Sequence, residues 1–301
     1  MARLIHRRSS ASPGAGRSHI AYRSLTVLLA VVALLATTAG ATLADEPLIP
    51  PSPEEAAGEA AKQALADAVG SYAETGIWDI ASLGQVAPDY CTEATGASCS
   101  PPDPSKTLNV YARHQINSFY CGPASTQAVI NYTRGYFYST LEGEDPAKNW
   151  KKQSVIGAEM GTDSAGSSSS YMIKNYLNGN AKNPAGWGWY RSINDNGNQM
   201  YNRIVSDVAN WSMPVVLAVH PHKPGQTGQG FYLPSWPLEH STSGHFVAIR
   251  GYSGSWDGTD AVAKVYYVDS SSNGGQLPGR YGVGAWTMWK VNSFNGKTIV
   301  W

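Results

Sequence analysis

The chain has 301 residues, with 22 basic and 22 acidic side chains, 10 tryptophans and 17 tyrosines. It contains no run of five or more basic residues, so it lacks the electrostatic footprint of a protein that binds nucleic acid. This length suits one large domain, or one domain with an appendage.

The first 44 residues have the pattern of a secretory signal peptide. Five arginines, and no acidic residue, precede an apolar run, Leu25 to Ala36, which is shorter than the roughly 20 residues of a membrane span. Small residues place the cleavage site near residue 41 or 44. We therefore expect a secreted, extracellular protein without stable membrane insertion after cleavage; an uncleaved, membrane-anchored form is the alternative.

Residues 45–107 predict a linker, an Ala-rich helix and a loop. Ser52 is placed to cap the helix, Pro53 suits its first turn, and Glu55 would complete a capping box. The helix extends to about Val69 and has little apolar periodicity beyond alanine. It could be a stalk, a pro-segment or a surface helix.

The three cysteines predict one disulfide and one free thiol. Cys91 and Cys99 lie close together in a loop, and short loops are closed at a lower entropic cost than long ones. We therefore expect a Cys91–Cys99 disulfide that leaves Cys121 free. The alternative is that Cys121 pairs with one of the other two.

Residues 108–301 predict helices first and strands afterwards. The helical candidates begin at Cys121 and are followed by a change to short apolar runs typical of strands. Helices are expected over 121–134, 152–160, 168–177 and 200–211, and strands over 213–220, 244–252, 262–269 and 285–291. This order indicates an α+β domain with an antiparallel sheet in its C-terminal half.

Cys121 has the features of a nucleophile. An unpaired thiol in an oxidising compartment is unusual, and a helix N-terminus stabilises the thiolate form. Gly122 would allow a substrate to approach the backbone, and Pro123 tolerates the first helical turn. The Cys121 N–H and the Gln115 side-chain amide could then donate hydrogen bonds to a developing oxyanion.

The candidate base is His245, at the start of a predicted strand. Asp269 ends the next strand, so antiparallel pairing could bring its carboxylate beside the imidazole. His114 precedes Gln115 and is expected to face away from the cleft. The remaining mature histidines lack the spacing of a helical zinc motif, so no metal site and no cofactor are expected. They are His220, His222 and His240.

Four blocks in order resemble the papain-fold cysteine peptidases of family thirty-nine, which include bacteriocin-leader peptidases and free-standing secreted relatives. The blocks are Gln115 with Cys121-Gly-Pro-Ala, the segment from Gln153 to Thr162 with Tyr171 to Asn178, the segment from Ile204 to Val216, and His245-Phe-Val-Ala-Ile-Arg-Gly-Tyr with Val268-Asp269. The resemblance covers about residues 108 to 295, within the domain predicted for residues 108–301. It implies a papain-like cysteine peptidase fold.

The resemblance implies Cys121 as nucleophile, His245 as general base and acid, Asp269 as the orienting residue and Gln115 as oxyanion donor. The reaction would cleave a peptide or isopeptide bond through a thioester, with a peptide or protein as substrate. Ser270 departs from the proline that relatives often have there. A cell-wall amidase or a transamidating acyl transferase would use the same residues. An extracellular binding module without catalysis is the alternative from a different class.

Overall fold

The computed structural model describes residues 51–79, 100–136, 150–162, 168–182, 188–221, 231–236, 244–271 and 279–301, all within one compact unit, Ile49–Trp301. The helices are α1 (Pro53–Thr75), α2 (Cys121–Thr133), α3 (Gln153–Met160), α4 (Ser170–Asn180), α5 (Gly197–Ser206) and α6 (Ala285–Ser293). The strands are β1 (Ser105–Thr107), β2 (Arg191–Ser192), β3 (Val215–Val219), β4 (His245–Ser253), β5 (Lys264–Asp269), β6 (Gly279–Gly284) and β7 (Ile299–Val300). A π-helical segment, Asp207–Trp211, continues α5.

The strands form one antiparallel sheet in the order β2-β7-β3-β4-β5-β6, with β1 paired to the second half of β4. The first half of β4 pairs with β3, where His245 faces Val219. On its other side β4 pairs with β5, and Ala248 faces Val268. Because β4 and β5 are antiparallel, the start of β4 and the end of β5 lie at the same end of the sheet.

Helix α2 packs against β4 and joins the helical part of the domain to the sheet. The Ser125 hydroxyl donates to the Phe246 carbonyl oxygen at 2.9 Å. Val129 and Ile130 of α2 are buried in the same core as Val247 of β4. Helices α3 and α4 pack on α2 in turn. The start of α2 is thereby fixed close to the start of β4.

Helix α1 packs along α5. Ser52 caps it as expected and accepts the Glu55 N–H at 3.1 Å, but the Glu55 carboxylate pairs with Lys174 of α4 rather than with the cap. Lys62 is fully buried and donates to Asp207 at 2.9 Å. The helix is longer than predicted and ends before Gly76, which has a left-handed backbone (φ +69°). These contacts make α1 a packed helix, not a projecting stalk.

The predicted elements of residues 108–284 are present with shifted ends, but the prediction of a strand over 285–291 is wrong. These residues form α6. Ala285, Met288 and Val291 recur every third residue and are all buried, which is the period of one helix face. Asp260 accepts the Thr287 N–H at 2.9 Å in the first turn of the helix. The aromatic residues that suggest a strand lie between these buried positions.

Some predictions concern residues outside the described part of the chain. They include the signal segment and its cleavage site, the Cys91–Cys99 disulfide, and His222 and His240. Within the described part, none of the helices combines the length and apolar character of a membrane span.

Candidate active site

Cys121 is the first residue of α2. The preceding residue, Tyr120, has non-helical backbone angles (φ −94°, ψ 24°), and its carbonyl accepts the Ala124 N–H at 2.9 Å. The Cys121 thiol is free and half-buried. The first N–H groups of a helix have no acceptor within it, and its dipole favours negative charge there. This position suits both a thiolate and an adjacent oxyanion.

His245 lies between Cys121 and Asp269. Its Nε2 is 2.8 Å from Oδ1 of Asp269, and both side chains are buried. Cys121 lies near enough to the imidazole to help raise the pKa of His245. Since Nε2 faces Asp269, Nδ1 is the nitrogen available to the thiol. The structure thus brings together three residues that are distant in the chain: His245 follows Cys121 by 124 positions, and Asp269 follows His245 by 24.

The charges of this group are strongly coupled. Burial opposes the protonated form of His245, but the Asp269 carboxylate and Cys121 outweigh it and raise the pKa of His245 to about 10. Burial likewise opposes ionisation of Asp269, but the His245 charge and the surrounding hydrogen bonds hold the pKa of Asp269 below its usual value. An ionised Asp269 and a protonated His245 are therefore favoured near neutral pH.

Asp269 has further buried partners. Its Oδ1 also accepts the Ser271 N–H at 2.8 Å, and its Oδ2 accepts the Ser235 hydroxyl at 2.6 Å. Ser235 Oγ lies 3.0 Å from the Tyr267 hydroxyl. Because the single Ser235 hydroxyl proton goes to Asp269, Tyr267 is the donor to Ser235. These bonds fix the carboxylate in one orientation.

Trp236 covers the imidazole. Its ring centroid is 5.0 Å from that of His245, with the two planes tilted by 55°. Trp236 is itself only 6% exposed. The indole excludes water from the His245–Asp269 pair, which strengthens their electrostatic interaction.

Gln115 is held at the same end of the sheet. Its backbone N–H donates to the Ser270 carbonyl at 2.8 Å, directly after Asp269. Its Nε2 donates to the Asn117 carbonyl at 2.8 Å. An amide nitrogen has two protons, and the bond to Asn117 uses one of them. The Ser270 carbonyl makes the backbone contact, and a proline at that position would provide the same acceptor.

The other described histidines, His114 and His220, form backbone bonds outside this group. The His114 carbonyl accepts a bond from Gln153, and the His220 N–H donates to the Val291 carbonyl. Among the described residues, no cluster of three His, Cys, Asp or Glu side chains could hold a metal ion.

Ser235, Trp236 and Tyr267 are residues that sequence analysis did not identify as part of the site. No spacing relates Ser235 to Asp269, 34 residues later, because their contact depends on how a loop folds over β5. Tyr267 has a partial signal, since it lies two positions before Asp269 on the same strand face.

A family model described as the Peptidase_C39 like family matches residues 107–286. A solved structure of digestive procathepsin L 3 from the larval midgut of Tenebrio molitor aligns with 84% of this chain and 93% of its own, at 13% identity and a TM-score of 0.41. No protein of curated function matches the chain. The family resemblance and the α+β, papain-like fold class predicted from the sequence are confirmed.

Proposed function

Because the chain belongs to the Peptidase_C39 like family, we propose that it is a secreted cysteine peptidase that hydrolyses a peptide or isopeptide bond. Cys121 is the nucleophile, His245 the general base and acid, and Asp269 the residue that orients His245. The observation that supports this most directly is the buried His245–Asp269 pair beside a free thiol at a helix N-terminus. A thiolate beside an imidazolium is a strong nucleophile at neutral pH.

Acylation begins with the thiolate of Cys121. Its sulfur attacks the carbonyl carbon of the substrate, a C–S bond forms, and the carbonyl electrons move to the oxygen. The oxyanion accepts hydrogen bonds from the Cys121 N–H and the Gln115 amide. When the intermediate collapses, the C–N bond breaks and Nδ1 of His245 gives its proton to the leaving nitrogen. The products are a thioester and a free amine.

Deacylation reverses the proton movements. Neutral His245 takes a proton from water at Nδ1 while the water oxygen attacks the thioester carbon. The C–S bond breaks, the carboxylic acid leaves, and the thiolate–imidazolium pair is restored. Asp269 stays ionised throughout and holds the ring so that Nδ1 faces the sulfur.

Secretion is supported by the first 44 residues, whose arginines, apolar run and small residues follow the order of a signal peptide. A free thiol in that compartment is consistent with catalysis, because a thiol without a function there would be exposed to oxidation.

The test compares the mature protein with its Cys121→Ala variant. We expect iodoacetamide to label Cys121 faster than free cysteine near neutral pH. We expect new amines from unfolded casein, and a loss of about 1,000-fold or more in Cys121→Ala and His245→Ala. Slow labelling together with no release would contradict catalysis and favour the binding module.

Two further outcomes separate the catalytic alternatives. Release of amines from peptidoglycan but not from casein would replace the peptidase with a cell-wall amidase. Incorporation of an added primary amine in place of hydrolysis would identify a transamidating acyl transferase, because both reactions share the thioester. Either result would overturn hydrolysis of a protein substrate.

A further inference from the structure

Gln153 is a buried amide that bonds the backbone on both sides of Gln115. It is the first residue of α3 and is completely buried. Its Oε1 accepts the Ile116 N–H at 3.1 Å, and its Nε2 donates to the His114 carbonyl at 2.9 Å. A single side chain therefore fixes the peptide units before and after Gln115.

A third bond fixes the orientation of this amide. The Gln153 Nε2 also donates to Oε1 of Gln127 on α2, at 3.1 Å. Gln127 donates in turn to the Lys151 carbonyl at 2.8 Å. Both Gln153 amide protons are then used, and a flipped amide would set its NH₂ group against the Ile116 N–H. The bonds around residue 115 are consistent with one orientation only.

The segment of residues 114–116 is thereby connected to α2 and to the end of β5. Gln127 lies on α2, the helix that begins at Cys121. The Gln115 N–H bonds the Ser270 carbonyl next to Asp269. The backbone that bears the Gln115 side chain is thus linked by hydrogen bonds to α2, which begins at Cys121, and to the residue next to Asp269. An oxyanion donor needs such placement, because its bond must fit the transition state closely.

We propose that Gln153 is a positioning residue for oxyanion stabilisation and acts through Gln115. This inference rests on the proposed function, in which Gln115 is an oxyanion donor. Gln153 does not contact the substrate; it sets where the Gln115 amide lies relative to the thiolate. Its loss should slow acyl transfer, which passes through an oxyanion, and leave simple alkylation of the thiolate unaffected.

The experiment measures two reactions of Cys121 in the mature protein. Acylation by p-nitrophenyl acetate forms a C–S bond and expels nitrophenolate through a tetrahedral oxyanion. Alkylation by iodoacetamide displaces iodide at a saturated carbon and forms no oxyanion. The variants are Gln153→Met, which keeps the approximate volume without hydrogen bonds, Gln115→Ala, and the two combined. Gln127→Leu is a milder variant in case Gln153→Met fails to fold.

We expect Gln153→Met to slow acylation about 10- to 100-fold and Gln115→Ala about 100-fold or more. The double variant should be within about threefold of Gln115→Ala, because residues acting as a unit are not additive. Alkylation should change less than about threefold in every variant. Gln127→Leu should show a smaller loss of acylation with the same selectivity.

Asn178→Leu is the matched control, because Asn178 also accepts a backbone N–H and donates to a carbonyl, both of Trp189. It should leave both rates unchanged. Equal losses of acylation and alkylation in Gln153→Met, additive losses in the double variant, or unchanged acylation would overturn the role of Gln153. If Gln115→Ala acylates normally, the oxyanion role of Gln115 fails and the inference fails with it. If the wild type is not acylated at Cys121, the proposed function itself fails.

Discussion

Ser235 donates its only hydroxyl proton to Oδ2 of Asp269 at 2.6 Å, on the opposite side of the carboxylate from His245. Asp269 is completely buried, so each of its oxygens needs a donor within the protein. His245 and the Ser271 N–H serve Oδ1, and Ser235 serves Oδ2. This division lets the carboxylate stay ionised without turning away from the imidazole.

Ser235→Ala should weaken the site through Asp269. It leaves Oδ2 without its hydroxyl donor, at an expected cost of about 2 kcal/mol in the free energy of unfolding. Because Ser235 helps to lower the pKa of Asp269, the variant should raise that pKa and move the acidic limb of the acylation rate to higher pH. The measurements are chemical unfolding and the pH dependence of acylation by p-nitrophenyl acetate.

Ser192→Ala is the control for Ser235→Ala. Ser192 also donates to an aspartate, Asp195, at 2.8 Å, but this pair has no contact with the candidate site. Removing the Ser192 hydroxyl should leave the pH dependence of acylation unchanged. An acidic limb that stays in place in Ser235→Ala would contradict the positioning of Asp269 by Ser235.

The protonated His245 should give the protein an alkaline limit. Acyl transfer to form an amine needs the imidazolium proton, so the rate of peptide hydrolysis should fall as pH rises through about 10. Alkylation of Cys121 by iodoacetamide needs only the thiolate and should not fall there. Rates of both reactions between pH 6 and 11 check this; a parallel decline would contradict it.

The raised pKa of His245 should also make the free energy of unfolding depend on pH. The pKa of His245 is higher in the folded protein, about 10, than in the unfolded chain, about 6.5, so the folded state binds the proton more tightly. This contribution is fully present below pH ~6.5 and is lost as pH rises through about 10. Chemical unfolding of the wild type should show this decline, and His245→Leu should lack it. A wild-type stability as flat as that of the variant would contradict the raised pKa.

Gly122 is predicted to be required for packing beside the nucleophile. A Cβ atom at this position would lie 2.5 Å from Cβ and Oγ of Ser168. Gly122→Ala should therefore lower the free energy of unfolding by about 1–3 kcal/mol and slow acylation of the adjacent Cys121. Combining it with Ser168→Gly should recover most of the loss.

Gly179 on α4 offers a matched control, because a Cβ atom there meets nothing within 4 Å. Gly179→Ala should leave stability unchanged or raise it by up to about 1 kcal/mol, since alanine favours a helix. If Gly122→Ala is as well tolerated, the contact with Ser168 does not limit the site.

The buried ion pair of Lys62 and Asp207 should behave differently when one or both partners are removed. Burial lowers the pKa of Lys62 and raises the pKa of Asp207, and in each case it exceeds the attraction between them. Lys62→Met should lower the free energy of unfolding by about 3–5 kcal/mol, because it leaves the buried Asp207 carboxylate without its lysine partner. The double variant Lys62→Met, Asp207→Leu should be much closer to the wild type.

Thermal and chemical unfolding measure these differences. Lys151→Met is the control, since Lys151 pairs with the exposed Glu159 and should contribute little. A double variant as unstable as the single one would show that the charges themselves hold α1 on α5.

The sequence was sufficient to predict where a helix begins when the signal lies within a few residues of that point. Ser52 and Pro53 predict the start of α1, and Cys121-Gly-Pro predicts the start of α2, because caps and first-turn residues act within a few positions. The same reasoning failed at α6. There the tryptophans outweigh the three-residue period of Ala285, Met288 and Val291, and only packing shows which residues face the core.

The sequence by itself determined that Cys121 begins a helix, that His245 begins a strand and that Asp269 ends one. These properties depend on neighbouring residues, and an antiparallel strand order then predicts that His245 and Asp269 lie close together. Only the tertiary structure decided that Ser235 and Trp236 contact Asp269 and His245 and that Gln153 bonds the backbone around Gln115, because contacts between distant loops leave no periodicity in the chain. The thiol, imidazole and carboxylate are thus readable from sequence, whereas the buried donors that set their charges depend on three-dimensional packing.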